Sequence, residues 1–266
     1  MTRRLCLVTG ASAGIGQAFA RIFASHGYDV ALTARRAARL EQLAEEIRLR
    51  YGVETLAMPA DLAEPAAGEH LAQTLAANGR AVDALVNNAG YGLRGAYATT
   101  SWEDERAALQ VMLVAVCELT HRFLPGMVER RFGRIVNVAS LAGLAPGIPG
   151  ATLYGATKSF LVKFSESLHL ETREQGVHVS ALCPGFTYTE FHDANHTRDQ
   201  ISRRTPDWLW LGADEVAAAG YEAVEANRVI CVPGAPNKAA AVLARLAPEE
   251  WALALIAREQ RRNGRI

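Results

Sequence analysis

A short apolar run that ends in a glycine-rich turn is the feature of this sequence that most restricts its fold. The run covers residues 5–9, and the turn reads Gly10-Ala-Ser-Ala-Gly14-Ile-Gly16. Apolar residues then recur at helical spacing, at Ala18, Phe19, Ile22 and Phe23. The sequence therefore predicts a strand, a tight turn and a helix, which is the opening unit of many α/β folds.

The glycine turn is suited to bind a phosphate group. Glycine at positions 10, 14 and 16 lets a pyrophosphate approach the unpaired N–H groups and the positive dipole end of the helix. The spacing Gly-x-x-x-Gly-x-Gly departs from the Gly-x-Gly-x-x-Gly dinucleotide fingerprint, so a turn that serves only packing is an alternative. Its position between the first strand and the first helix favours a nucleotide site.

Strand-like and helical patterns alternate along the chain with no composition break or Ser/Gly-rich linker. The alternation predicts one domain, residues 1–266, with a doubly wound Rossmann-like α/β fold in which helices flank both faces of a seven-stranded parallel sheet. Within it we expect residues 186–212 to form a substrate segment and residues 236–266 to form C-terminal helices. The predicted strands cover residues 5–9, 29–34, 53–58, 82–86, 134–139, 177–183 and 229–232.

Arg35 is the residue that bears on the choice of cofactor. It follows the second predicted strand, about 20 residues after the glycine turn, where dinucleotide folds place the group that reads the adenosine ribose. A guanidinium beside the small Ala34 suits a 2′-phosphate, which predicts NADP rather than NAD. The alternative is that Arg35, Arg36 and Arg39 only solvate the start of the next helix.

Bulk composition points to a small-molecule partner. The chain carries 28 basic and 28 acidic residues with a pI near 7.1, so it has no electrostatic footprint for nucleic acid or an anionic membrane. Four widely spaced cysteines without a Cys-x-x-Cys motif are typical of reduced thiols, and no run reaches the roughly 18 apolar residues that span a bilayer. We expect a cytoplasmic protein without a metal site.

Tyr154 and Lys158 lie one turn apart on the same face of a predicted helix. Three of the 28 basic residues are lysines and the remaining 25 are arginines, so a lysine at position 158 departs from the chain's usual choice of cation. A compact ammonium can sit close to a phenol and a sugar hydroxyl, where a guanidinium needs a wider site. The pair is therefore a candidate acid–base device, and two ordinary helix-surface residues are the alternative.

Five motifs occur in an order that resembles the short-chain dehydrogenase/reductase family: Thr9-Gly10-x-x-x-Gly14-x-Gly16, Asn87-Asn88-Ala89-Gly90, Ser140, Tyr154-x-x-x-Lys158 and Pro184-Gly185-x-x-x-Thr189. The resemblance runs from Leu5 to about Val232. It implies a Rossmann-like fold that binds NAD(P), reversible hydride transfer between a carbonyl and an alcohol, and a homodimer or homotetramer.

The resemblance also assigns roles. Tyr154 is the expected proton donor, and Lys158 is expected to lower its pKa together with an oxidised nicotinamide and to hold the ribose hydroxyls. Ser140 is expected to stabilise charge on the substrate oxygen. Asn87 and Gly90 fit the family's turn beneath the adenine ribose. The expected cofactor-binding residues are Gly10, Ser12, Gly14, Ile15, Gly16, Arg35, Asp61, Leu62, Asn88, Ala89, Gly90, Tyr154, Lys158, Pro184, Gly185, Thr187 and Thr189.

Two positions depart from the family's pattern. Met112 stands where the family carries an asparagine that, with a water, connects the lysine to solvent, and a thioether cannot replace an amide. A backbone carbonyl with water would be another route. Ser140 precedes Tyr154 by 14 positions, one more than the family's usual spacing. The geometry of the serine and the proton route of the lysine are therefore open questions.

The sequence as a whole predicts an NADP(H)-dependent oxidoreductase for an aldehyde, a ketone or a secondary alcohol. Aromatic residues in the 186–212 segment favour a fairly apolar substrate, although they could equally pack the segment against the body of the protein. The alternative function is a catalytically weak nucleotide-binding protein with a regulatory or scaffolding role, in which the loss of the asparagine reflects lost turnover.

Overall fold

Seven parallel strands form the central sheet of the computed structural model, which describes residues 3–93, 95–190, 206–246 and 248–262. The described strands are β1 Leu5–Thr9, β2 Asp29–Thr33, β3 Thr55–Ala57, β4 Val82–Asn87, β5 Gly133–Val138, β6 Val177–Leu182, β7 Thr187–Tyr188, β8 Leu211–Gly212 and β9 Ile230–Cys231. The order of strands across the central sheet is β3-β2-β1-β4-β5-β6-β9. A separate parallel ribbon pairs β7 with β8.

Helices cover both faces of this sheet, as the sequence predicts. The described α-helices are α1 Gly14–Ser25, α2 Ala37–Tyr51, α3 Ala67–Ala77, α4 Trp102–Leu109, α5 Ala115–Glu129, α6 Thr152–Thr172, α7 Ala213–Glu225, α8 Ala235–Leu246 and α9 Glu249–Arg262. Residues of α1, α2 and α7 form one apolar core with the sheet, and residues of α3, α5 and α6 contribute to a second core on the other face. A π-helical stretch, Gln110–Val114, joins α4 to α5.

The strand pattern follows from burial on both faces. All five residues of β1 and all five of β2 are buried, and these inner strands are continuous apolar runs rather than alternating ones. The two strands that fall shortest of the prediction, β3 and β9, lie at the edges of the sheet. Each has a neighbour on one side, so fewer ladder hydrogen bonds define it. The β7–β8 ribbon was not predicted, and residues 191–205 between its strands lie outside the described chain.

The strand order reverses between β1 and β4, both of which are central. In open α/β sheets, ligands bind in the crevice at such a switch point, outside the carboxyl ends of the strands. The glycine turn follows β1 and the Asn88-Ala89-Gly90 turn follows β4. The fold therefore places both predicted cofactor-binding turns at this crevice.

The helical stretch Trp102–Glu129 has the length and mean hydropathy of a membrane-spanning helix, although polar residues interrupt its apolar run. It contributes Val111, Met112 and Leu119 to the second core, against the sheet. A helix that packs on a sheet in this way needs an apolar face. Its composition is therefore explained by the fold.

A buried polar network ties β4, β5, α5 and α6 together beneath the crevice. Asn87 Nδ2 donates to Asn137 Oδ1 at 2.8 Å and to Thr120 Oγ1 at 3.2 Å, and Asn137 Nδ2 donates to Ser165 Oγ at 2.9 Å. Asn137 is fully buried. Asn87 is therefore an interior residue held by Asn137 and Thr120, and its expected place in the turn beneath the adenine ribose stays a prediction. Its neighbour Asn88 faces the crevice turn.

Replacing Asn137 by alanine should lower the free energy of unfolding by about 2–3 kcal/mol, because two buried side-chain hydrogen bonds are lost and their partners stay buried. Ser165→Ala removes one of these bonds and should cost about half as much. Urea unfolding at pH 7 measures both values. A change below about 0.5 kcal/mol for Asn137→Ala would show that the network contributes little to stability.

Candidate active site

Ser140 and Tyr154 meet at the carboxyl end of β5. Ser140 is the second residue after the last residue of the strand, Val138, and its hydroxyl is hydrogen-bonded to the Tyr154 hydroxyl. The backbone N–H of Ala142 donates to Ser140 Oγ at 3.1 Å, and this hydrogen bond holds the serine side chain in place. The structure therefore brings together the first two predicted catalytic residues.

The loop between Ser140 and Tyr154 is one residue longer than the family's usual loop, and Ser140 is hydrogen-bonded to Tyr154 across it. Its first part, Leu141–Gly143, is a 3₁₀ turn that packs on α6. A Cβ at Gly143 would lie 2.6 Å from the backbone of Lys158, and Ser159 Oγ donates to the Gly143 carbonyl at 3.0 Å. Because the start of the loop is fixed in this way, the additional residue is accommodated beyond Gly143.

Lys158 lies under the phenol ring in a buried position. Its side chain keeps 5% of its accessible surface, and its Nζ lies 5.6 Å from the centre of the Tyr154 ring. Nζ donates to the carbonyl oxygen of Val138 at 2.7 Å. The carbonyl thus supplies a fixed partner for the ammonium, and two further N–H donors remain on the group.

Burial moves the pKa values of the two residues in opposite directions. Burial raises the pKa of the Tyr154 hydroxyl, and the hydrogen bond from Ser140 opposes this in part. Burial lowers the pKa of Lys158 to about 8. In the chain without a nucleotide, removing the phenolate from water outweighs the effect of the Ser140 hydrogen bond. The predicted lowering of the Tyr154 pKa includes the charge of an oxidised nicotinamide and stays a prediction.

Met112 borders the same buried space. It lies in the π-helical stretch, is 2% exposed, and its side chain packs towards Gly90. A Cβ at Gly90 would lie 3.4 Å from Met112 Sδ and 3.8 Å from Lys158 Nζ. Glycine at position 90 therefore allows the close approach of the turn after β4 to both side chains, and the thioether adds to the apolar surroundings of the ammonium.

Glu105 is a site residue that the sequence analysis missed. It lies on α4 with 6% exposure, and its Oε1 accepts a hydrogen bond from Thr100 Oγ1 at 2.8 Å. It lines a cavity of about 20 Å³ that Met112 and Tyr154 also line, which is room for about one water molecule. A carboxylate on an amphipathic helix normally faces solvent, so the sequence carries no signal of this burial.

The glycine turn and the turn after β4 form one unit at the crevice. Thr9 Oγ1 accepts hydrogen bonds from the backbone N–H groups of Asn88 and Ala89 at 2.9 and 3.0 Å, and Asn88 Nδ2 donates to the carbonyl of Thr9 at 2.9 Å. A Cβ at Gly16 would lie 2.4 Å from the Gly10 carbonyl oxygen. The third glycine is thus required by packing within the turn.

This unit fits a dinucleotide. Gly10 and Gly14 have φ values of +66° and +56°, in the left-handed region that favours glycine. The N-cap residue of α1, Ala13, makes no side-chain hydrogen bond, and the first turn of α1 holds no acidic side chain. The backbone N–H groups and the positive dipole end of α1 are therefore open to an anion, with Ser12 and Ile15 beside them.

The segment after β6 closes over the glycine turn. The Pro184 carbonyl accepts from the Leu141 N–H at 2.9 Å, which joins this segment to the loop that follows Ser140. A Cβ at Gly185 would lie 2.6 Å from Asn237 on α8, and one at Gly14 would lie 2.9 Å from the Thr189 side chain. Pro184, Gly185 and Thr189 are therefore at the crevice, whereas the buried Thr187 bonds back to the Gly185 carbonyl at 3.1 Å.

Charged side chains cluster after β2, where the sequence predicts recognition of an adenosine ribose. Arg35 is exposed, and among the described residues no hydrogen bond or ion pair engages its guanidinium. Arg36 Nη2 donates to Ser12 Oγ at 2.9 Å, and Glu190 pairs with Arg36 and Arg39 at 2.8 and 2.6 Å. The alternative in which all three arginines only solvate a helix is therefore wrong for Arg36 and Arg39.

Asp61 and Leu62 lie in the turn after β3. Asp61 Oδ1 accepts from the Ala63 N–H at 3.0 Å, so its carboxylate caps the turn, and Leu62 is buried in the second core. A structural role accounts for these contacts. Both residues follow β3 at the carboxyl edge of the sheet.

The aromatic residues of the 186–212 segment divide into two groups. Trp210 is 7% exposed and packs against Phe186 and Tyr188, with ring centres 5.4 and 4.9 Å apart. Phe186, Tyr188 and Trp208 retain exposures of 36%, 48% and 65%. The packing alternative thus holds for Trp210, while the other three rings present apolar surface. Phe191 lies outside the described residues.

Comparison with known proteins agrees with this geometry. Residues 4–200 match the family model described as short chain dehydrogenase. The NADP-dependent 3-hydroxy acid dehydrogenase of Salmonella typhi is 38% identical over 198 residues, 73% of this chain and 77% of that protein.

Two solved structures cover almost the whole chain. A short-chain dehydrogenase from Sphingobium yanoikuyae in complex with NADPH has a TM-score of 0.80 and 30% identity, over 99% of this chain and 96% of that one. A short chain dehydrogenase/reductase from Burkholderia phymatum in complex with NAD has a TM-score of 0.79 and 29% identity, over 91% and 92%. The chain therefore belongs to the short-chain dehydrogenase family, whose members are oxidoreductases that act on CH–OH and C=O groups with a nicotinamide nucleotide.

The buried ammonium should make stability depend on pH. Lys158 has a pKa of about 8 in the folded chain against an ordinary value of 10.5, so between these values the unfolded chain binds more protons and stability rises with pH. From pH 7.5 to 9.5 the free energy of unfolding of the wild type should rise relative to Lys158→Met by about 2 kcal/mol. Both pH values lie below the raised pKa of Tyr154. Urea unfolding measures the difference.

Lys163→Met is the matched control, because the side chain of Lys163 is 79% exposed and pairs with Glu166 on the helix surface. Its stability relative to the wild type should change little over the same pH range. A Lys158→Met protein that keeps a constant difference from the wild type would show that Lys158 has an unperturbed pKa.

Proposed function

We propose that this protein is an NADP(H)-dependent oxidoreductase that interconverts an aldehyde or ketone and the corresponding alcohol, with a fairly apolar substrate. The observation that carries the proposal is the contact of the Ser140 and Tyr154 hydroxyls above the buried Lys158 ammonium. Three groups that can donate to or charge-stabilise one oxygen atom meet at the edge of a nucleotide-binding crevice. Such a meeting has no structural purpose, because it buries a charge at a cost in stability.

The roles of the three residues follow from their chemistry. A bound nicotinamide nucleotide supplies the hydride in reduction and accepts it in oxidation. In reduction the Tyr154 hydroxyl gives its proton to the substrate oxygen, and its raised pKa keeps the proton on the phenol until that oxygen becomes basic. The Ser140 hydroxyl donates a hydrogen bond to the same oxygen and stabilises its developing charge.

Lys158 acts on Tyr154 through its charge and holds the nucleotide. With a pKa of about 8 it is mainly an ammonium at pH 7, so it favours the phenolate that remains after proton transfer. One N–H is used by the Val138 carbonyl, and the others can reach ribose hydroxyls. The Val138 carbonyl holds the ammonium in place from the end of β5.

The cofactor is assigned as NADP on the charge at the adenosine end. Arg35, Arg36 and Arg39 lie at or after the end of β2, where a free 2′-hydroxyl would call for an acidic side chain. Among the similar proteins, one is named as NADP-dependent, one structure contains NADPH and one contains NAD. The remaining nucleotide contacts are assigned to the glycine turn, to Asp61 and Leu62, to the Asn88-Ala89-Gly90 turn, and to Pro184, Gly185, Thr187 and Thr189.

We place the chain in the cytoplasm as one domain, residues 1–266, that forms a homodimer or homotetramer. Exposed apolar side chains support an oligomer, because α4 to α6 and the stretch between them present Trp102, Val114, Phe160 and Leu170 with exposures of 60%, 43%, 36% and 65%. The partner that the site favours is a small carbonyl compound or alcohol. A regulatory or scaffolding role is disfavoured, because it leaves the Ser140–Tyr154–Lys158 arrangement without a use.

Tyr154→Phe should leave NADPH affinity within a few-fold of the wild type and lower turnover by about 10²–10⁴, since the proton donor is lost. The assay follows NADPH oxidation against a panel of aldehydes, ketones and quinones, with binding measured by titration. Tyr51→Phe, on the far end of α2, is the control and should match the wild type. A wild type that binds NADPH but oxidises none across the panel would favour the scaffolding role.

Arg35→Asp should weaken NADP binding by about 10- to 100-fold, the scale of a charged hydrogen bond, and change NAD binding much less. Arg50→Asp makes the same charge change at the distal end of α2 and should affect neither. Dissociation constants of both nucleotides, measured at one ionic strength, decide the point. Equal losses for NADP and NAD would remove the case for recognition of the 2′-phosphate at Arg35.

A further inference from the structure

Glu190 connects the segment after β6 to the arginines that follow β2. Its Oε2 accepts from Arg36 Nη1 at 2.8 Å and its Oε1 accepts from Arg39 Nη1 at 2.6 Å. The two arginines hold the pKa of the Glu190 carboxyl below its usual range, so it is an anion at neutral pH. The residues are 151 and 154 positions apart, and the contact exists only because β2 and β6 end at the same edge of the sheet.

Arg36 ties this cluster to the glycine turn. Its Nε and Nη2 donate to Ser12 Oγ at 3.1 and 2.9 Å, while its Nη1 is used by Glu190. On the other side, Thr189 packs on Gly14. The carboxylate therefore lies beside the turn to which we assign the pyrophosphate and next to the arginines to which we assign the 2′-phosphate.

The Glu190 carboxylate binds the guanidinium groups of Arg36 and Arg39 in the way that a phosphate group would. It presents one oxygen to each guanidinium, which is the charge-assisted arrangement by which arginines recognise carboxylates and phosphates alike. A 2′-phosphate carries more negative charge than a carboxylate, but it must first separate Glu190 from the arginines or share them with it. NAD has a 2′-hydroxyl in that place, so its binding does not require Glu190 to separate from the arginines.

On the basis of the proposed NADP-linked function, we propose that Glu190 is an internal competitor for the 2′-phosphate and thereby limits the preference of this enzyme for NADP over NAD. Glu190 is in this sense a specificity-determining residue. It lies in the segment to which we assign the substrate, and the two contacts described above join it to arginines that follow β2.

The contact of Glu190 with Arg36 and Arg39 is exposed enough for another anion to replace the carboxylate. The side chains of Arg36, Arg39 and Glu190 keep 45%, 47% and 48% of their surface. Ion pairs at such exposure are screened by solvent and individually weak. The cluster can therefore hold an anion in the free protein and still release it to a stronger one.

Glu190→Gln keeps the shape of the side chain and removes its charge. It should tighten NADP⁺ and 2′,5′-ADP by about three- to tenfold, the effect expected of removing one or two exposed ion pairs. NAD⁺ and 5′-AMP should stay within twofold of the wild type. The measurement is a titration of all four ligands at one pH and one ionic strength.

Glu54→Gln is the matched control, since Glu54 forms a surface pair with Arg80 at 2.7 Å just before β3, away from the carboxyl edge of the sheet, and the substitution makes the same change in net charge. It should alter none of the four affinities selectively. In an Arg36→Gln/Arg39→Gln background, Glu190→Gln should have no further effect on 2′,5′-ADP, because the groups for which it competes are gone.

The outcomes separate this inference from the proposed function. If the wild type binds NADP⁺ and Glu190→Gln weakens or leaves unchanged the 2′-phosphorylated ligands, or tightens NAD⁺ equally, Glu190 positions the arginines or acts at long range and is no competitor. If 2′,5′-ADP binds to neither protein while NAD⁺ binds to both, the assignment of NADP fails and the competitor with it. Binding of no nucleotide at all would overturn the proposed function itself.

Discussion

The carboxyl end of β5 holds α6 at two points, and the candidate site depends on this attachment. The Val138 carbonyl accepts from Lys158 Nζ at 2.7 Å, and the preceding Asn137 donates to Ser165 at 2.9 Å. The two helix residues are seven positions apart, about two turns, so both face the strand. Because Tyr154 shares this face of α6, fixing Lys158 also fixes the phenol, and Ser140, two residues beyond Val138, comes within hydrogen-bond distance of it.

Burial is the common cause of the site's unusual titration. It raises the pKa of Tyr154 and lowers that of Lys158, because it disfavours a phenolate and an ammonium alike. Met112 contributes to this environment, since its thioether reaches the space beside Gly90 and Lys158. The departure from the family's asparagine therefore makes the surroundings of the ammonium less polar. Its hydrogen bond to the Val138 carbonyl offsets part of that cost.

The charged residues at the other end of the crevice are exposed to solvent, unlike the buried Lys158. Arg36, Arg39 and Glu190 are about half exposed, so their mutual attraction is screened and their contribution to stability is small. These residues matter for nucleotide recognition because they lie beside Ser12 and the glycine turn. A buried charge at Lys158 costs stability and is held by a fixed partner, whereas an exposed cluster can exchange one anion for another. The two ends thus suit chemistry and recognition respectively.

The sequence by itself determined the parallel sheet, the order of its motifs and the residue types of the site, because apolar periodicity and glycine turns are local signals. Residues distant in the chain decided three other features. These are the lengths of the edge strands, the pairing of β7 with β8, and the interior position of Asn87. The same holds for burial of Glu105 on α4 and for the Glu190 contact with Arg36 and Arg39 across more than 150 residues. Only tertiary structure decided the pKa of Tyr154, since desolvation is a property of the surrounding fold and no local pattern encodes it.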